Sequence, residues 1–176
     1  PHKCTQRRSS AASDVYKGQV CHRDVKPVNV LLDPSGAARL SDFGIAKILD
    51  GSRQATMMLG TPLYMAPELA EGHDPGPAAD VYSLGILLYE MSCGISPFAG
   101  RPGAMGVLRA HVNEAPGRPE GVPDPLWDLI ARMVAKDPAA RPSATAVAET
   151  LASLQDTLAG TRPAPRLTSP PPTVPV

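Results

Sequence analysis

The chain is poor in cysteine, and the three it has, Cys4, Cys21 and Cys93, are odd in number and scattered. They form no C-x-x-C pair and have no clustered histidines beside them, so neither a disulfide framework nor a zinc site is expected. Cys21 and Cys93 adjoin apolar stretches and read as small buried hydrophobes. Long apolar runs are missing too: none reaches the ~20 residues of a spanning helix, and the N-terminus lacks a signal-peptide core. A cytoplasmic protein without a membrane segment is expected. Net charge is also absent, because 17 basic and 17 acidic residues cancel, which argues against a general binder of nucleic acid or membrane surfaces. Aromatics make up only 4%, but an apolar fraction of 43% over 176 residues suffices for one domain with a real core.

Proline and glycine are plentiful and punctuate the chain. Residues 1–17 are polar and basic, without apolar period, and read as a disordered or atypical arm. Val28 to Leu32 and Ala37 to Leu40 flank Asp33-Pro34-Ser35-Gly36, which predicts a small β hairpin with Asn29 at one end and Asp42 at the other. Gly51 to Thr61 reads as loop. Ala78 to Met91 is apolar nearly all round, the pattern of a helix buried on most faces, with Gly94 as its stop. A short surface helix is expected over Ala104 to Val112. Asp124-Pro125 opens another helix as cap and first residue, with Leu126, Leu129, Ile130, Met133 and Val134 at helical spacing. Ser143 caps a last helix that ends near Gly160, carrying Val147, Leu151, Leu154 and Leu158 on one stripe. Residues 161–176 are proline-rich and are expected to form an extended, unpacked, disordered tail. His2, His73 and His111 stand singly and read as surface residues.

Chemistry is concentrated in His22-Arg23-Asp24-Val25-Lys26-Pro27-Val28-Asn29 and in Asp42-Phe43-Gly44. Ala66-Pro67-Glu68, Asp80-Val81-Tyr82-Ser83-Leu84-Gly85, Asp137-Pro138 and Arg141-Pro142-Ser143 follow in order. In sequence, spacing and intervening hairpin this set resembles the serine/threonine protein kinase family, in its bacterial, eukaryotic-type form. The resemblance implies an α+β, mainly α fold, the C-terminal lobe of a kinase-like domain over residues 18–160, with one short β hairpin. It also implies transfer of the γ-phosphoryl group of ATP, with Mg2+, to serine or threonine of protein substrates. Asp24 matches the catalytic aspartate that orients the substrate hydroxyl, and Lys26 the lysine on the transferred phosphate. Asn29 and Asp42 match the magnesium ligands, hard oxygen donors suited to that ion. Thr61 matches the threonine joining the substrate platform to Asp24 and Lys26, and with Lys26 it narrows the acceptor to serine or threonine.

Other matches are scaffold. His22 and Phe43, with Gly44 beside it, resemble the apolar spine beneath the site. Leu31, Leu87 and Met91 fall where the family places a second spine, Leu31 lying under adenine. Asp80 is expected to accept backbone hydrogen bonds from the catalytic loop, and Glu68 to form a buried ion pair with Arg141. Arg23 matches the arginine that pairs with a phosphate on the activation segment, for which Thr56 is the first candidate and Ser52 the second.

The family's upper lobe grips ATP with a glycine-rich loop, a strand lysine and a helix glutamate. These 176 residues carry no match to it: before His22 stands one glycine, Gly18, and Lys3 and Lys17 lack the Val-Ala-Ile-Lys context. A helix expected before the catalytic loop is reduced to a broken remnant over Ser10 to Val20. On their own the residues are therefore expected to be inactive, exposing an apolar upper face around Leu31 and Phe43 that a separately encoded N-lobe or another partner would cover. The alternatives are a non-catalytic, pseudokinase-like binding module and a truncated gene product.

Overall fold

The computed structural model describes residues 21–42, 62–74 and 76–176. The hairpin consists of β1 (Val30–Leu32) and β2 (Ala38–Leu40), antiparallel with Val30 opposite Leu40 and Leu32 opposite Ala38. Its turn is organised by one carboxylate. Asp33 Oδ1 accepts the N–H groups of Ser35 and Ala37 at 2.9 and 3.0 Å, while Gly36 takes a φ of 83° that a side chain would resist.

The body is helical: α1 (Pro67–Ala70), α2 (Pro77–Cys93), α3 (Gly103–Asn113), α4 (Asp124–Met133) and α5 (Ala144–Ala159). Helix α2 runs through the middle. Val81 packs with Leu129, Met133 and Val147 of α4 and α5, while Tyr82 and Ile86 pack with Phe98, Val107 and Ala110. Such burial on most faces is what its largely apolar pattern predicts, although it begins one residue earlier and ends two later than expected. Gly94 stops it, at φ 82°, with its N–H on Glu90 O at 2.6 Å. Helix α4 differs from expectation by one residue at its start. The first helical acceptor is the Pro123 carbonyl, which takes the Trp127 N–H at 2.9 Å, so Asp124 lies inside the helix rather than capping it. Ser143 caps α5 as expected, its Oγ accepting the Ala146 N–H at 3.1 Å. Among the described residues no helix is long and apolar enough to cross a membrane.

Two expectations are corrected. Residues 161–176 are extended but not unpacked: Val174–Pro175 (β4) pairs antiparallel with Glu114–Ala115 (β3), adding a second small sheet to the single hairpin expected. The Leu167 side chain packs against the Tyr89, Cys93 and Ile130 cluster. Proline content keeps this segment extended, as composition implies, but composition is silent on whether an extended segment finds a surface. His111, read as a surface residue, is fully buried on α3 against Tyr82 and Phe98. Its neighbours Val107, Leu108 and Ala110 form the inward stripe of a helix that is only partly at the surface.

At Gly85 α2 packs closely on the end of α4, since a Cβ there would lie 2.8 Å from Val134 Cγ1 and 2.9 Å from Met133 Cβ. Gly85→Ala is therefore expected to destabilise the fold by about 1–3 kcal/mol through overpacking. Denaturant unfolding should show a lowered midpoint with an unchanged slope.

Candidate active site

The segment from His22 to Asn29 is held by a residue far away in sequence. Asp80, in the first turn of α2, accepts the His22 N–H on Oδ2 at 2.6 Å and the Arg23 N–H on Oδ1 at 2.7 Å. A carboxylate is favoured there by the positive end of the helix dipole. The clamp holds Arg23 at φ 68°, a left-handed conformation that costs a side-chain-bearing residue on the order of 1–3 kcal/mol. His22, buried at 3% exposure, adds a contact between its Nε2 and Ser41 O at 2.8 Å, linking the loop to the end of β2.

Within this frame three of the expected site residues converge. Lys26 Nζ lies 2.9 Å from Asp24 Oδ2. Asn29 Nδ2 donates to the same Oδ2 at 3.1 Å and to the Asp24 carbonyl at 2.8 Å. With its nitrogen committed to Asp24, the atom that Asn29 can offer a cation is its amide oxygen. The Ser41 N–H donates to Asn29 O at 2.8 Å, so Asp42, the next residue, follows directly from the point where the strands meet. Asp42 has φ 57°, a second left-handed residue, and is exposed. One carboxylate and one amide oxygen suit magnesium, which takes few protein ligands and completes its shell with water and phosphate oxygens. Among the described residues no group of three or more His, Cys, Asp or Glu gathers as a dedicated metal cage.

Glu68 and Arg141 pair as expected, and more completely than sequence could tell. The two Glu68 oxygens accept from Arg141 Nη1 and Nη2 at 2.7 and 2.8 Å. The remaining donors reach the carbonyls of Ala135, Ala78 and Lys136 at 2.8, 2.9 and 3.0 Å. All five guanidinium N–H groups are thus used, and the carbon centre sits 4.9 Å over the Tyr82 ring.

The residues Pro62 to Met65 precede α1 and are fixed from below by groups the sequence analysis missed. Ser83 Oγ donates to Tyr64 O at 2.7 Å, and the Tyr64 hydroxyl donates to Glu90. Burial and the Glu90 carboxylate both push the Tyr64 pKa up, so it remains a donor. His111 contacts the Tyr82 hydroxyl through Nδ1 at 2.8 Å, and Lys136 Nζ donates to the His111 carbonyl at 2.6 Å. Burial, then the Lys136 charge, lowers the His111 pKa to about 3, while burial, then Arg141, lowers Lys136 to about 8. Glu90, an acidic residue near the end of the apolar α2 run, was the available sequence signal for a polar contact there.

The second expected spine divides. Leu87 is buried, whereas Leu31 and Met91 are 55% and 73% exposed. Phe43, Gly44, Ser52, Thr56 and Thr61 lie outside the described residues.

A family model for the protein kinase domain matches residues 4–151. Serine/threonine-protein kinase PkaB of Streptomyces coelicolor is 47% identical over 155 residues, covering 82% of this chain and 37% of PkaB. PkaA of the same organism, also a serine/threonine-protein kinase, is 45% identical over 152 residues, covering 84% of the chain and 28% of PkaA. Serine/threonine-protein kinase PknA of Mycobacterium tuberculosis is 44% identical over 171 residues, covering 95% of the chain and 39% of PknA. The chain spans less than two fifths of the length of these relatives.

Two expected outcomes follow from the geometry. Arg141→Met strands the Glu68 carboxylate and should cost about 3–5 kcal/mol, much of which Glu68→Leu in the same chain should restore. A double-mutant cycle in denaturant measures this. His111 stays neutral in the fold down to about pH 3 but takes up a proton in the unfolded chain below about 6.5. Its contribution to stability is therefore complete above 6.5 and is lost as pH falls through that window. Unfolding free energies measured across it should fall less steeply for His111→Gln than for the native chain.

Proposed function

The chain belongs to the bacterial, eukaryotic-type serine/threonine protein kinase family, and from that premise we propose that it forms the C-terminal lobe of such a kinase. In this reading it carries the substrate platform and the metal ligands of a phosphotransferase acting on serine or threonine of proteins. The convergence of Lys26 and Asn29 on one oxygen of Asp24 is the observation that carries the proposal. Phosphoryl transfer needs positioning and charge neutralisation more than covalent chemistry, and those three side chains offer both.

Asp24 orients the acceptor hydroxyl and takes its proton as the oxygen bonds to the γ-phosphorus of ATP and the bond from that phosphorus to the β–γ bridging oxygen breaks, releasing ADP. Lys26, held beside Asp24, supplies positive charge to the transferring group. Asn29, through its oxygen, and Asp42 would hold Mg2+, which when bound neutralises phosphate charge. Asn29 has a second task, keeping Asp24 turned toward the acceptor through Nδ2. Thr61 would join the platform to this pair, and Arg23 would receive a phosphate on Thr56 or Ser52.

The hairpin supports the lobe assignment. Leu31 and Leu32 of β1 are 55% and 72% exposed, one on each face, and Val28 just before the strand is 73% exposed, apolar area that an isolated two-stranded hairpin does not sustain in water. An upper lobe seated there would cover Leu31 and Met91 and bring the nucleotide onto Asn29 and Asp42. Without that lobe these 176 residues are proposed to be inactive.

The test supplies the lobe. Joined to the upper lobe of a relative such as PkaB, the chain should transfer radiolabelled phosphate from ATP to serine or threonine of a protein substrate. Asp24→Asn should lower that rate by roughly 100- to 10,000-fold. The unjoined chain should show no more transfer than its own Asp24→Asn variant. Turnover by the unjoined chain that this substitution abolishes would refute the dependence on an upper lobe. Transfer by the joined protein that is indifferent to Asp24→Asn would refute the catalytic assignment.

A further inference from the structure

The proline-rich segment after α5 makes more specific contacts than its composition requires. The Leu167 N–H donates to Cys93 O at 2.8 Å, and the Val176 N–H donates to Asn113 O at 3.0 Å. Cys93 is the last residue of α2 and Asn113 the last of α3, so both acceptors are carbonyls that a helix leaves unsatisfied at its end. Between these two points β4 adds to β3 as an extended strand. Leu167 packs onto the apolar cluster of Tyr89, Cys93 and Ile130, which serves as its socket. Thr173 Oγ1 donates to the Glu114 carboxylate, and Arg101 Nη2 donates to both Glu114 and Thr173 Oγ1.

The receiving surface is shaped for an extended chain. A Cβ on Gly117 would meet the Pro172 carbonyl oxygen and lie 3.0 Å from Pro171 Cβ; the nearest atoms to it all belong to the segment. The Tyr89 hydroxyl donates to Gly117 O at 2.9 Å, fixing that loop from beneath. At Gly121 a Cβ would lie 3.2 Å from Pro165 Cδ. Two glycines thus leave room along the path, two helix ends supply acceptors, and one socket receives the aliphatic side chain.

We propose that the C-terminal ends of α2 and α3, with β3 and Gly117, form a docking groove for an extended proline-rich peptide carrying a leucine anchor, occupied in cis by residues 163–176. The segment is an intramolecular ligand of the helical body rather than a linker beside it. This assignment stands apart from the phosphotransferase reading, since it uses none of Asp24, Lys26, Asn29 or Asp42. Attachment in cis gives the segment an effective concentration on the order of millimolar, so a free peptide of the same chemistry competes poorly until the native one is released.

Hydrogen exchange on the full chain should show the Leu167 and Val176 amides protected, and Leu167→Asp should abolish the protection. A labelled synthetic peptide of residues 163–176 should bind the Leu167→Asp chain at least tenfold more tightly than the native chain. Adding Gly117→Ala to the Leu167→Asp chain should remove that binding, with helical circular dichroism unchanged. Gly117→Ala in the otherwise native chain should also release both amides. The proposal is overturned if those amides in the native chain exchange at unfolded-peptide rates. It is equally overturned if a folded Leu167→Asp chain fails to bind the peptide, or if Gly117→Ala leaves peptide binding intact.

Discussion

The Arg141 guanidinium is the node on which the helical body closes. A planar cation with five donors can be buried only where each finds an acceptor, and here the acceptors come from separate parts of the chain: Glu68 of α1, Ala78 of α2, and Ala135 and Lys136 after α4. Its Coulomb attraction to Glu68 is largely offset by the desolvation of both ions, so the pair contributes more to geometry than to net stability. It sets where α1 sits relative to α2, and with it the direction in which Pro62 to Met65 enter the site. Ser83 and Glu90, spaced along α2, then hold Tyr64 against the same helix.

Helix α2 transmits that placement to the chemistry. Its first turn carries Asp80, which takes two consecutive backbone N–H groups and holds Arg23 in a left-handed conformation the loop would not choose alone. The next residue, Asp24, is thereby presented to Lys26 and Asn29. A buried helix suits this task because its close packing on α4, as at Gly85, resists displacement. Strain in the loop from His22 to Asn29 persists because distant packing over-determines it.

How much of this was legible depended on whether the information was local. Helix α5 could be read because Ser143 caps it through its own side chain, and α2 because an all-apolar run has few other folds. The Asp24, Lys26 and Asn29 cluster was legible because all three lie within one short loop, so spacing nearly implies proximity. The start of α4 moved by one residue because proline on either side of Asp124 permits two capping registers. His111 was misread because a lone polar residue on an apolar stripe turns inward only if a partner exists, and Tyr82 lies 29 positions away. The tail was misread for the same reason: proline fixes its extension locally, but the carbonyls that receive it belong to helix ends elsewhere.

The two ends of α2 therefore do opposite work with one kind of group. At its N-terminus a carboxylate side chain gathers the His22 and Arg23 backbone donors; at its C-terminus a bare carbonyl receives a backbone donor from the tail. Only the second uses a backbone group that a helix leaves unpaired at its end, but both convert a terminus into an attachment point. The hairpin has no such attachment on its faces: β1 and β2 pair only with each other among the described strands, and their leucines remain open to solvent. Among the described residues the hairpin leucines, directly beside Asn29 and Asp42, are where apolar packing stops, and it is there that the proposed upper lobe would bury surface.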